Sequence, residues 1–210
     1  MNAWRHDHNG LRNLGVLLGV LMLNACAFIT TPPPSEPGVS NPEAWAQRKA
    51  ALQDFNVWSM QGRAATGKIL GWSGNLNWRQ RGDEFDVRLA GPVGIGGFRA
   101  KGTLALVEVR TEDETFVTDQ PEALVEEVLG WAFPLQGLRH WVLGLPQPDA
   151  PAQLSVDNRG RLLDLQQSGW RLAYTEYQET EGPELPRRII LDNGDHKIKV
   201  VIDRWFGLEN

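Results

Sequence analysis

The sequence predicts a mainly β fold: an open, incomplete antiparallel β-barrel of roughly eleven strands, with about three helices packed against one face. Three observations carry this expectation. Over residues 70–78, Leu70, Trp72, Gly74, Leu76 and Trp78 take every second position, while Ser73, Asn75 and Asn77 fill the alternate ones. That period of two sends one set of side chains inward and the other to solvent. Asp192-Asn193-Gly194-Asp195 is a hairpin signal, because Asn-Gly favours a type I′ turn. Helical and strand patterns come in separate runs, with no β-α-β rhythm that would call for a parallel sheet.

The elements follow in order along the chain. Ser40 and Glu43 have the spacing of a capping box, and Pro42 suits an early helical position. A helix is therefore expected from there to about Asp54, with Trp45, Leu52 and Phe55 near one face. Strands are expected near 55–66 and 70–78, then at 84–90, where Phe85, Val87 and Leu89 alternate with Asp86 and Arg88. Two more are expected at 98–110 and 115–118. Asp119 is placed to cap a helix starting near Pro121, with Leu124, Val125, Val128 and Leu129 on one face and Gly130 as its stop. Residues 134–144 read as a short helix, with Leu138, Trp141 and Val142 at i, i+3, i+4 spacing. Strands resume near 153–157, 161–167, 169–177, 187–191 and 197–205.

At 210 residues the chain suffices for one domain with a substantial core. A net charge of −5 argues against a general nucleic-acid-binding surface, and none is expected as a partner. Nine Trp against two Tyr point to a large apolar surface to be lined.

The N-terminus indicates a compartment. Arg5 and Arg12 precede the apolar run Leu14–Leu23, which has the length of a signal peptide's hydrophobic region. The following Leu23-Asn24-Ala25-Cys26 resembles the bacterial lipoprotein signal, in which the cysteine is lipidated and becomes the new N-terminus. Cys26 is the only cysteine, so an intramolecular disulfide is impossible and acylation is the better account of the thiol. The next residue is Ala27 and not Asp, which by the same resemblance sends the protein to the outer membrane of a Gram-negative cell, lipid-anchored on the periplasmic side. The expected organisation is a signal peptide at 1–25, a lipidated terminus and Pro-rich tether at 26–42, and a folded domain at 43–210. Five prolines in residues 27–42 make the tether extended, with a reach on the order of 50 Å.

Catalytic patterns are weak. After the signal, only His140 and His196 remain, each read as a surface or structural histidine. Gly71-Trp72-Ser73-Gly74 lies within a strand and lacks the G-x-S-x-G form of a nucleophile elbow. Gly91, Gly94, Gly96 and Gly97 do not make a phosphate-binding G-x-G-x-x-G before a helix. No enzyme, metal or cofactor is expected.

A specific resemblance emerges from motifs in order along the domain. These are Gln61–Ala65 (QGRAA), Trp72–Trp78 (WSGNLNW), Gly91–Gly94 (GPVG), Gly130–Pro146 (GWAFPLQGLRHWVLGLP), Gly169–Tyr174 (GWRLAY) and Ile198–Trp205 (IKVVIDRW). Together they resemble the LolB family of outer-membrane lipoprotein receptors. The resemblance implies an incomplete barrel closed by helices, whose apolar cavity takes acylated lipoproteins from the periplasmic carrier LolA and passes them to outer-membrane lipid. A monomer with no catalytic residues is expected. Leu76, Trp78, Val87, Leu89, Trp131, Trp141, Trp170 and Trp205 are the expected acyl-chain-lining residues. Val93 and Ile95, set among glycines in the 91–97 loop, are expected to form a membrane-inserting tip; the familiar Pro-Leu-Gly is here Pro-Val-Gly. Two other readings stay open: a scaffold lipoprotein with a solid Trp-rich core, and a lipocalin-like carrier of a small apolar ligand.

Overall fold

One antiparallel sheet carries every strand among the described residues, and its two halves meet where the first of those strands pairs with the last. The structure is a computed structural model, described over residues 38–67, 71–92 and 97–209, which belong to one compact unit. In chain order it contains α1 (Pro42–Gln53), β1 (Val57–Thr66), β2 (Ser73–Arg81), β3 (Glu84–Ala90), β4 (Gly97–Thr103), β5 (Leu106–Arg110) and β6 (Thr115–Thr118). Then come α2 (Pro121–Leu129), α3 (Leu135–Trp141), β7 (Ala152–Val156), β8 (Leu162–Gln167), β9 (Trp170–Gln178), β10 (Leu185–Asp192) and β11 (Lys197–Glu209). The strand order is β6-β5-β4-β3-β2-β1-β11-β10-β9-β8-β7, so β6 and β7 are edges that do not pair with each other. The sheet is open, as expected, and the α2–α3 segment is the connection between its two edges.

Alternation places the core. In β2 and β3 the buried positions are Leu76, Trp78 and Gln80, and Phe85, Val87 and Leu89, with exposed or half-buried residues between them. Register sets Leu76 opposite Leu89 and Trp78 opposite Val87, so the two strands bury one continuous apolar face. From β4 and β5, Phe98, Ala100, Val107 and Val109 extend it, and Ile189, Leu191, Ile198, Val200 and Ile202 do the same in β10 and β11. α2 packs on β4 and β5, and Val125, Trp131, Phe133, Leu135 and Leu138 of the helical segment join the same core cluster. Glu122 joins the two helices, its Oε1 accepting from the Gln136 N–H at 2.7 Å. Burial holds that carboxyl above the ordinary carboxylate range.

Several local expectations are corrected. The cap of α1 is Asn41, whose Oδ1 accepts from the Ala44 N–H at 3.1 Å. Ser40 instead donates to the Val156 carbonyl at 2.7 Å, tying the start of α1 to β7. Asp119 does not cap α2; Gln120 holds that position without a side-chain hydrogen bond, while Gly130 ends the helix at φ 72° as expected. The strand expected over 98–110 is a hairpin, with Thr103 paired to Leu106 across a turn at 104–105. The Asp192–Asp195 turn does join β10 to β11, but not as type I′. Only Gly194 has positive φ, at 95°, whereas type I′ needs it at both central residues. Asn193 acts through its side chain, whose Oδ1 accepts from Asp195 N and His196 N at 3.1 and 2.7 Å.

The seam between β1 and β11 includes a register shift at Gln61/Gly62. A Cβ on Gly62 would collide with the Val201 carbonyl oxygen and lie 3.0 Å from Ile202 Cα, so the close approach requires glycine. Gly62→Ala is expected to destabilise the fold by about 2 kcal/mol or more. Urea unfolding should show a lower midpoint with an unchanged m-value; a loss below about 0.5 kcal/mol would mean that the seam relaxes freely.

Candidate functional site

A cleft of about 740 Å3 opens between α1, the start of β1, the β2–β3 turn, α3 and the loop that follows it. Its floor is apolar. Trp45 and Leu52 come from α1, Trp58 from β1, and Leu143 and Leu145 from the turn after α3; all five are buried. Phe55 and Leu154 add half-buried apolar surface. Trp58 is the link to the interior, because its ring lies 5.6 Å from Trp78 and 5.6 Å from Trp205. The cleft is thus continuous with the aromatic core through one buried indole.

The rim is polar and carries both signs of charge, with Lys49, Asp83, Arg139 and Asp149 around it. Arg139 reaches across from α3 to the β2–β3 turn, donating to the Gly82 carbonyl at 3.3 Å and meeting Asp83 at 3.5 Å. His140 beside it is pushed down to about 4, chiefly by burial and then by the charge of Arg139. It is therefore neutral near pH 7 and adds no charge to the cleft.

Two buried glutamines fix the indoles behind the floor. Trp78 Nε1 donates to Gln80 Oε1 at 3.0 Å, and Gln80 Nε2 donates to the Gly82 carbonyl at 2.7 Å. Trp141 Nε1 donates to Gln167 Oε1 at 2.9 Å. The same oxygen accepts from Gln147 N at 2.8 Å, while Gln167 Nε2 donates to the carbonyls of Gln147 and Ala150 at 2.9 and 3.0 Å.

The eight residues expected to line an acyl-chain cavity are gathered on the inner side of the sheet, behind the cleft. Leu76, Trp78, Val87 and Leu89 form a patch on β2 and β3. Trp131 packs on Phe133 at 5.8 Å and Trp72 at 6.0 Å. Trp141 closes α3, and Trp170 opens β9. These seven are buried, and Trp205 on β11 is half-buried, its indole N–H without a hydrogen-bond partner among the described residues. None of the eight borders the cleft itself. Their side chains fill the interior, so a lining role requires this core to part.

Trp58, Leu143 and Leu145 were not among the expected residues. The alternation of Trp58 with Met60 in β1 is a signal that would have found the first; the turn after α3 offers no comparable period. Cys26, Val93 and Ile95 lie outside the described residues. The β3–β4 ladder ends at the pair Ala90–Gly97, so Val93 and Ile95 belong to the connection between those two strands. Among the described residues, no group of His, Cys, Asp and Glu is arranged to hold a metal.

Comparison with known proteins gives this arrangement a family context. A family model described as "Outer membrane lipoprotein LolB" matches residues 56–205. A curated protein of Nitrosococcus oceani named outer-membrane lipoprotein LolB is 36% identical over 193 residues, spanning 90% of this chain and 94% of that one. One of the same name from Stutzerimonas stutzeri is 38% identical over 197 residues, spanning 93% and 95%. Among solved structures, the LolA superfamily protein NE2245 from Nitrosomonas europaea aligns with a TM-score of 0.52 at 9% identity, covering 79% of this chain and 94% of that one. That likeness is one of fold.

Burial pushes His140 down to about 4 in the folded chain against an ordinary 6.5, so the unfolded chain binds more protons between these values. Stability should fall as pH drops from 6.5 towards 4 and gain no further loss from this group below that. Thermal unfolding at pH 7, 6 and 5 should show the decline, and His140→Gln should reduce its slope; equal slopes would clear His140 as the cause.

Proposed function

The chain belongs to the LolB family, and on that premise we propose that it is an outer-membrane-anchored receptor for acylated lipoproteins. It takes them from the periplasmic carrier LolA and passes them to the bilayer. The observation that carries the reading is the continuity of the cleft floor with the core: Trp58 lies in both, in contact with Trp78 and Trp205. Acyl chains enter over Trp45, Phe55 and Trp58 and occupy the space between the sheet and α2–α3 as that core parts. No residue performs a chemical step.

The physical problem is the cargo. A triacylated lipoprotein exposes some forty or more CH2 groups, at about 0.8 kcal/mol each, so release into water would cost tens of kcal/mol. Direct handover between two apolar interiors avoids most of that cost and lets transfer run downhill by affinity. The receiver must stay near its target membrane. Cys26, acylated after removal of residues 1–25, supplies the anchor, and the Pro-rich segment after it supplies a tether up to residues 38–41, which are bonded to β7 and cap α1. That tether lets the domain face an incoming carrier from the periplasmic side. Val93 and Ile95 form the tip that enters the bilayer. Burying each is worth about 1.5–3 kcal/mol, which favours giving them an apolar partner.

A scaffold role is the second reading, favoured by the filled interior: Trp78 and Trp141 are each no more than 1% exposed. The two readings part on whether the core opens to an acyl ligand.

Cys26→Ala behind an ordinary signal peptide should give a soluble protein that still takes labelled lipoprotein from the carrier, followed by loss of the carrier complex on a native gel. Soluble protein that folds and takes none would give the lipid or thiol a role in acceptance. Val93→Glu with Ile95→Glu should leave acceptance within about twofold and cut delivery to liposomes by at least about tenfold, because two charges oppose insertion of the tip. Equal loss of both activities would place these residues in the core.

A further inference from the structure

The outer face of the sheet carries a feature that lipoprotein reception does not account for. In the register of β3, β4 and β5, Arg88 lies directly opposite Arg99, and Arg99 directly opposite Arg110. All three are exposed. Like charges directly opposite each other on neighbouring strands are destabilising, and the chain as a whole is acidic, at −5. Composition therefore does not explain three arginines in one row. Asp86 pairs with Arg99, which donates to it through both Nε and Nη2. Arg88 faces Asn77 and Arg99, and Arg110 faces Arg99 and Thr115, so neither has a carboxylate opposite it in the ladder.

The row is not on a flat surface. It lines a groove of about 870 Å3 on the outer side of β1–β5, with Glu112 also on its wall. Arg88 stands two residues before Ala90, and Arg99 two residues after Gly97, the pair at which the β3–β4 ladder ends. At about 3.3 Å per residue, the row lies roughly 7 Å from the strand ends that carry the 91–96 connection.

We propose that the Arg88–Arg99–Arg110 groove binds the phosphates of phospholipid headgroups and seats the domain on the bilayer. The proposal rests on the receptor reading, which puts the 91–96 connection at the membrane; the groove adds the polar contact just behind it. Arginine suits this place. Its guanidinium forks onto phosphate oxygens, it is more weakly hydrated than an ammonium, and its stem can lie along apolar surface at a membrane boundary. Asp86 holds Arg99 in position, and Arg88 and Arg110 line the same groove as the guanidinium groups offered to the lipid. The groove's charge also makes seating sensitive to salt.

The test uses the mature full chain with Cys26→Ala, so that binding is not dominated by the anchor. Flotation is measured with vesicles of phosphatidylethanolamine and phosphatidylglycerol, and with vesicles of digalactosyldiacylglycerol, which has no phosphate. Arg88→Gln with Arg110→Gln leaves the Arg99–Asp86 pair intact. This double variant should bind phospholipid vesicles at least about tenfold more weakly and bind the phosphate-free vesicles as the parent does. Arg88→Lys with Arg110→Lys, which keeps charge and loses the fork, should fall between the two. Inorganic phosphate at 10 mM should not release the parent from phospholipid vesicles; if it does, the groove is a site for free phosphate and the proposal is overturned. Equal parent affinity for both vesicle types, or unchanged binding by the Gln variant, also overturns it. So does a Gln variant that loses cargo acceptance from the carrier with no vesicles present, which would make the groove a carrier-docking surface. Acceptance by the parent, measured in that same vesicle-free arm, separates failure of the groove from failure of the receptor reading.

Discussion

The helical cover is fixed to the sheet through the carboxamide of Gln167, which spends its full hydrogen-bonding capacity on three residues of the α3 region. A glutamine side chain offers two acceptor sites and two donors. Gln167 uses them on Trp141 Nε1, Gln147 N, and the carbonyls of Gln147 and Ala150. The residue is 2% exposed, so any of these groups left unmatched would cost about 1–3 kcal/mol of desolvation. Tyr174 adds a parallel tie from β9, its hydroxyl donating to the Trp141 carbonyl at 3.0 Å. Together they hold the end of α3 and the loop after it on the β8–β9 side of the sheet, and the remaining architecture depends on that placement.

With the loop fixed, Leu143 and Leu145 join Trp45 and Trp58 in the floor of the cleft. The other wall is positioned by a different interaction. Tyr177 of β9 lies under the guanidinium groups of Arg48 and Arg161, at 5.4 and 5.0 Å, which joins α1 to the sheet. These partly buried contacts matter more than the exposed Arg63–Asp203 pair, because solvent-facing ion pairs contribute little net stability. The open sheet therefore has a cover secured along β8 and β9, while α2 lies on β4 and β5 mainly through apolar packing. Apolar contacts carry no directional requirement, so α2 is the side on which parting costs fewest specific bonds. This asymmetry gives the proposed entry of acyl chains a physical route.

Much of the fold was legible because period two is a direct consequence of strand geometry. Leu76 and Trp78, or Phe85, Val87 and Leu89, declare an inner face without reference to anything distant. The hairpin within 98–110 was not legible, since its turn at 104–105 uses Leu and Ala, with no Pro, Asn or Asp to mark it. The caps failed for a related reason: Ser40 and Asp119 have the right chemistry, but Asn41 was one residue better placed and Ser40 was taken by Val156. At the site, the apolar residue types were legible and their grouping was not. The cleft joins α1, β1 and the loop after α3, a meeting set by strand order. Gln167 gave no signal, being one polar residue at the end of Leu162–Gln167, although the cover depends on it. Likewise Arg88, Arg99 and Arg110 each read as an ordinary outward residue until register aligned them.

The receptor reading makes the Trp-rich interior behind the cleft a space for acyl chains. The most direct measurement places a photo-crosslinking amino acid at Phe55, at Leu154 and, as an outer-face control, at the exposed Leu106. Lipoprotein radiolabelled in its acyl chains is then handed over from the carrier. On that reading, crosslinks to the labelled chains come from Phe55 and Leu154 and none from Leu106. Folded, crosslinker-bearing protein that receives cargo but captures chains only from Leu106, or from none of the three, would contradict it.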